Sequence, residues 1–128
     1  MASSLLAVVV DCRDPRSQAD FWSKALAHDV VERNRDEFLV NGPDGAASPL
    51  YFMKVPEPKV GKNRLHLDLV TEGPLDDEIT RLKELGARLV EVRRDPDALQ
   101  NPDTWAVMED PEEHVFCVSS RTTITGWG

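Results

Sequence analysis

Apolar residues in this chain come in short bursts separated by polar and proline-bearing stretches, and the period of each burst names an element. Leu5–Asp11 is a valine-rich aliphatic run and predicts a buried strand. Asp14-Pro15 follows as a helix start, with an aspartate to cap free amides and a proline where no N–H is required. The helix it opens runs to about Ala27, with Phe21, Trp22, Ala25 and Leu26 as its apolar stripe. Strands are predicted at Val30–Arg33, Glu37–Val40 and Leu50–Val55, with Asn41-Gly42-Pro43-Asp44-Gly45 turning the chain between the last two. Residues 56–62 form a proline- and lysine-bearing linker.

After the linker the pattern starts again. Arg64–Val70 predicts a strand, Gly73-Pro74 a second helix start, and Leu75, Ile79, Leu82 and Leu85 line one helical face. That helix is acidic early and basic late, as its dipole favours, and Gly86 stops it. Strands at Leu89–Val92, Trp105–Glu109 and Val115–Ser119 complete the series, with Asp95–Asp103 as a polar loop. Pro15 and Pro74, Leu26 and Leu85, Ala27 and Gly86, and Val31 and Val90 each stand 59 positions apart. One offset shared by strand, helix start and helix end marks an internal repeat. Two units, each too small to bury its own sheet, are expected to pack together around a cleft for a small molecule.

Composition narrows the function. With 41% hydrophobic and 30% charged residues in 128, the chain reads as an ordinary globular domain. The longest apolar run, Leu5–Val10, falls short of the roughly 20 residues a membrane span needs. Met1-Ala2-Ser3-Ser4 lacks the basic start of a signal peptide. Two cysteines, Cys12 and Cys117, suit a reducing compartment, so a cytoplasmic location is expected. A net charge of −8 without an offsetting basic cluster argues against nucleic-acid and membrane partners. Uncovered strand edges predict a homodimer.

Three segments, in order, are similar to the glyoxalase/bleomycin-resistance/dioxygenase family, the vicinal oxygen chelate superfamily. They are Asp14-Pro15 with Phe21-Trp22 and Leu26-Ala27; Arg64-Leu65-His66-Leu67-Asp68-Leu69; and Asp110-Pro111-Glu112-Glu113-His114-Val115-Phe116. The resemblance implies an α+β fold of two βαβββ modules forming a curved, mostly antiparallel sheet, a partial barrel around a cleft with helices outside. Module one would be 5–55 and module two 63–119 of a single glyoxalase-like domain, with 120–128 as a tail. In the third segment Glu113 stands where the family has a glycine, and His114 where it has an asparagine.

Family enzymes hold a divalent metal with one side chain from the first and one from the last strand of each module. The resemblance maps these positions onto Ala7, Met53, His66 and Cys117. Alanine has no donor, methionine is a soft ligand, and cysteine is a change of type. The expectation is therefore no bound metal and no cofactor.

Strand parity gives a separate reading. Leu65, Leu67 and Leu69 would lie under the helices, while Arg64, His66 and Asp68 face the cavity, as do Ala7, Val9 and Asp11. The candidate ligand-binding set is His66, Asp68, Arg64, Asp11, Phe52, Trp105 and Cys117, with no catalytic residue assigned. Blander readings stand beside it. His66 and Asp68 could serve only as a structural polar cluster, Cys117 as a small buried filler, and Phe52 and Trp105 as core aromatics. Metal-free binding of a small, partly aromatic molecule is the expected function. The alternative is a vicinal-oxygen-chelate enzyme of lyase, isomerase or dioxygenase type, acting on a small carbonyl or aromatic substrate, with His66 and Asp68 available as acid and base.

Overall fold

A computed structural model of the chain describes residues 2–44, 48–94 and 104–121. The chain divides into two compact units, Met1–Val60 and Gly61–Gly128, and the division falls inside the expected linker. In the first unit β1 (Val8–Cys12) leads to α1 (Pro15–Leu26), β2 (Asp29–Asn34), β3 (Glu37–Asn41) and β4 (Leu50–Lys54). In the second, β5 (Leu67–Thr71) leads to α2 (Leu75–Glu84), β6 (Arg88–Arg94), β7 (Thr104–Glu109) and β8 (Val115–Ser120). The repeat is visible in the bounds: β1 and β5 begin and end 59 residues apart, and β2 and β6 begin at the same offset. Among the described residues no helix is long and apolar enough to cross a membrane. The polar loop 95–103, the tail 122–128 with Trp127, and Gly45 of the first turn lie outside the described residues.

Each unit is βαβββ, and each folds into a four-stranded mixed sheet, ordered β1-β4-β3-β2 and β5-β8-β7-β6. The helix crossover returns the chain so that the first strand lies parallel to the last, while the other pairings are antiparallel. The sheets are not closed, and β2 and β6 are edges. Every residue of β2 is exposed, Val30 and Val31 included. The α+β architecture of paired βαβββ modules is thus present, as two four-stranded sheets.

Local chemistry sets the helix ends. The Asp14 carboxylate accepts from the Ser17 amide at 3.1 Å, and Pro15 occupies the first turn. A cap of this kind contributes about 1 kcal/mol. The C-cap Ala27 is left-handed at φ 54, and Gly86, at the repeat-equivalent place, has φ +117. Each helix covers one face of its own sheet. Under α1, Phe21, Trp22 and Ala25 meet Phe38, Val40, Leu50 and Phe52; under α2, Ile79 and Leu82 meet Ala106, Met108, Phe116 and Val118. Burying each large side chain contributes on the order of 1.5–3 kcal/mol, so this face holds most of the stability.

Two strands start later than the hydrophobic pattern predicts. β1 begins at Val8, leaving Leu6 87% exposed, because the residue before β4 is Pro49, which offers a carbonyl to the Val8 amide but has no N–H to continue the ladder. β5 begins at Leu67 rather than Arg64, because a side chain replaces the ladder there. The Asn63 amide donates to the Val115 carbonyl at 3.0 Å and to the Leu65 carbonyl at 3.1 Å, and its oxygen accepts from the Val115 N–H at 3.3 Å. Leu65 is consequently 85% exposed instead of lying under α2.

The β7–β8 turn is organised by Asp110, which is buried. Its Oδ1 accepts from the amides of Glu112 and His114, and its carboxylate meets His114 Nδ1 at 2.9 Å. Glu113 sits at φ 67, where a side chain costs roughly 1–2 kcal/mol. Glycine there loses some of that gain through a more flexible unfolded chain. Glu113→Gly is therefore expected to raise the melting temperature by a few degrees in thermal unfolding; a fall would mean that the Glu113 side chain stabilises the turn.

Candidate functional site

The site occupies the face of the second sheet turned away from α2. Register aligns the side chains on this face in rows. Asp68 pairs with Cys117 and Cys117 with Val107; Val70 pairs with Ser119, and Trp105 with Arg93. These residues, with His66, Val115, Lys62 and Arg121, surround a concavity of about 620 Å³, within the range that takes a small organic ligand. Its lining combines apolar side chains (Val70, Val107, Val115 and Trp105) with the charged ones of Lys62, Asp68, Arg93 and Arg121.

His66 comes from the segment just before β5, steered into place by the Asn63 clamp beside it. Its Nε2 lies 3.3 Å from Asp68 Oδ1, two residues along on the same face. Both side chains are well exposed, at 49% and 73%, so the pair is available to a ligand and contributes little to stability. Cys117 is half-buried between them and Val107. Ligand atoms of His66, Asp68 and Cys117 all fall within 4.8 Å of one another. Burial pushes the Cys117 thiol pKa up, the Asp68 carboxylate adds to the rise, and Arg93 opposes it. The thiol is thus held protonated, a weak nucleophile and a reluctant metal ligand.

The expected site residues separate into three groups. His66, Asp68, Trp105 and Cys117 line one concavity. Arg64 is not among the residues lining it, because β5 starts only at Leu67 and strand alternation does not extend back to Arg64. Phe52 is fully buried against α1 in the first unit, so it is a core residue and out of a ligand's reach. Asp11 is exposed on the first sheet, on the face away from α1, where it pairs in register with Met53. Cys12, one residue on, points under the helix and is buried, as parity predicts. Sequence reasoning missed Lys62, Arg93 and Arg121. Alternation through β6 could have found Arg93, but a register shift between Leu89 and Glu91 interrupts the count.

Register also corrects one equivalence. Val9 pairs with Tyr51 and Asp68 with Cys117, and Val9 and Asp68 are repeat mates. The first-unit counterpart of Cys117 is therefore Tyr51, two residues before Met53 and on the same face. Its hydroxyl donates to Glu37 Oε2 at 2.5 Å. That hydrogen bond, with burial and the Glu37 charge, raises the Tyr51 pKa and keeps the phenol protonated. The four-ligand arrangement that the resemblance implies is thus not met by the residues present. Ala7 has no donor, Tyr51 has committed its proton to Glu37, and the second unit offers three mixed donors whose thiol resists ionisation.

The βαβββ fold is that of glyoxalase-type proteins, and the sequence agrees: a family model of the glyoxalase-like domain matches residues 7–119. The chain belongs to that family. No curated protein matches it. Among solved structures it is similar to a glyoxalase/bleomycin resistance protein/dioxygenase family enzyme from Burkholderia phytofirmans PsJN, at 18% identity over 92% of this chain and 98% of that one, with a TM-score of 0.75. A genomically encoded fosfomycin resistance protein, FosX, from Listeria monocytogenes matches at 15% identity over 94% of each chain, TM-score 0.68. Lactoylglutathione lyase from Agrobacterium tumefaciens matches at 13% identity over all of this chain and 98% of that one, TM-score 0.65.

The state of Cys117 is open to direct measurement. Iodoacetamide at pH 7.5 is expected to modify it more slowly than a free thiol, with the rate still rising above pH 9, while Cys12 stays protected by burial. Asp68→Asn removes a charge that opposes thiolate formation, so it should speed the reaction severalfold at fixed pH. An unchanged rate would place the Asp68 carboxylate out of electrostatic reach of the sulfur.

Proposed function

We propose that the second unit's concave face binds a small molecule with an aromatic or otherwise apolar part, and that it does so without a resident metal ion. One observation carries this reading: Trp105 and three valines line a concavity of about 620 Å³ together with the exposed His66–Asp68 pair. Apolar lining side chains supply affinity, and a few polar groups supply orientation. The similar structures named as a fosfomycin resistance protein and as a lactoylglutathione lyase keep an enzymatic reading beside it.

A neutral aromatic probe, 1-naphthamide, tests the reading by calorimetry. Trp105→Ala is expected to weaken its binding by about tenfold or more, the loss that removing a large aromatic contact produces. His66→Ala is expected to weaken it by less, with the melting temperature within about 1 °C of the parent protein, because a half-exposed side chain carries little of the fold. A drop of several degrees would make His66 a structural residue and move the site elsewhere.

The metal-dependent enzyme is the second reading, and the closeness of His66, Asp68 and Cys117 is the observation that favours it. Elemental analysis after overnight dialysis separates the two. Less than a tenth of an equivalent (~0.1) of divalent metal per chain is expected, since three donors, one of them a protonated thiol, retain an ion poorly. About one equivalent, lost in His66→Ala, would put the enzyme reading first.

A further inference from the structure

We infer that the ligand of this concavity is an anion, a small carboxylate or phosphate ester carrying an aromatic or apolar body. The inference rests on the binding reading above and adds the ligand's charge. The chain carries a net charge of −8, yet the concavity reverses that sign locally. Lys62, Arg93 and Arg121 line it, and among the described residues Asp68 is the one carboxylate that does so. Asp68 lies 3.3 Å from His66, and three cations to one carboxylate make the described lining positive.

The existing partners of these cations leave them available. Arg93 Nε lies 3.1 Å from Glu91 Oε1, and Arg121 Nε lies 3.2 Å from Glu72 Oε1. All four side chains are exposed, so each pair is worth no more than about 1 kcal/mol and exchanges readily for a ligand carboxylate. Both arginines are among the lining residues, whereas Glu91 and Glu72 are not. Lys62 has no carboxylate partner among the described residues. A guanidinium beside Trp105 in the paired strand also suits a planar ligand, whose ring can stack on the indole while its anionic group meets the fork of Arg93. On a chain of net charge −8, a cationic rim of this kind focuses positive potential where an anion can bind.

The test compares two probes of equal shape and different charge, 1-naphthoate and 1-naphthamide, by calorimetry at low salt on the full chain. The expected result is that naphthoate binds about tenfold tighter than the amide, and that added salt erodes the difference. In the Arg93→Gln/Arg121→Gln double variant the preference is expected to fall to within about twofold. Lys62→Gln alone should reduce it in part. Equal binding of the two probes by the parent protein would overturn the anion inference and leave the binding reading standing. Binding of neither probe would overturn both. A preference for naphthoate that survives the double variant would also overturn it, because the charge recognition would then lie elsewhere.

Discussion

The parallel ladder between the first and last strands of each unit is the constraint on which everything else depends. It can form only because a helix carries the chain across the sheet and returns it in the same sense. Once Val8 is paired with Leu50, or Leu67 with Phe116, alternation decides the facing of every residue in both strands. A slip of one residue would exchange Phe116 and Cys117 and put a fully buried phenylalanine into water. Register is thus held by hydrophobic burial, and the site inherits its precision from the core on the opposite face.

This division of labour explains the character of the concavity. The helix-covered face takes the large apolar residues, with Phe116, Met108 and Leu82 fully buried. The other face is free to vary without loss of the fold. It holds a histidine–carboxylate pair, a thiol, one tryptophan and a rim of cations on the second sheet. The first sheet, built on the same plan, holds Val9, Asp11 and the Tyr51–Glu37 hydrogen bond. Two copies of one architecture have therefore kept the same packing and diverged in chemistry.

Cys117 and Tyr51 show how that divergence works. Both sit in the same row, next to the parallel ladder, and both have raised pKa values, for different reasons. For the thiol the main cause is desolvation. For the phenol it is a hydrogen bond to a carboxylate. Each change keeps a proton on the side chain, and each moves the position away from the anionic donor that a divalent ion requires. The proposed binding of an organic ligand by stacking, hydrogen bonds and rim charge rests on this difference in donors.

The sequence by itself determined the order of elements, the repeat, the two helix starts and the family. These rest on local chemistry and on periodicity, which a linear pattern records directly: Asp14-Pro15, the 59-residue offset, the alternation in β5 and β8. It also brought forward His66 and Asp68, because parity within a strand is local, Cys117 through the family resemblance, and Trp105 as a strand aromatic. Tertiary structure decided what depends on partners far along the chain. The Asn63 amide, reaching across to Val115, ends the strand early and removes Arg64 and Leu65 from their expected faces. The ladder identifies Tyr51, not Met53, as the counterpart of Cys117, since alignment by similar residues cannot see which strand residues are bonded. The cationic rim is likewise assembled from Lys62, Arg93 and Arg121, three residues on separate segments that only the folded sheet brings to one edge.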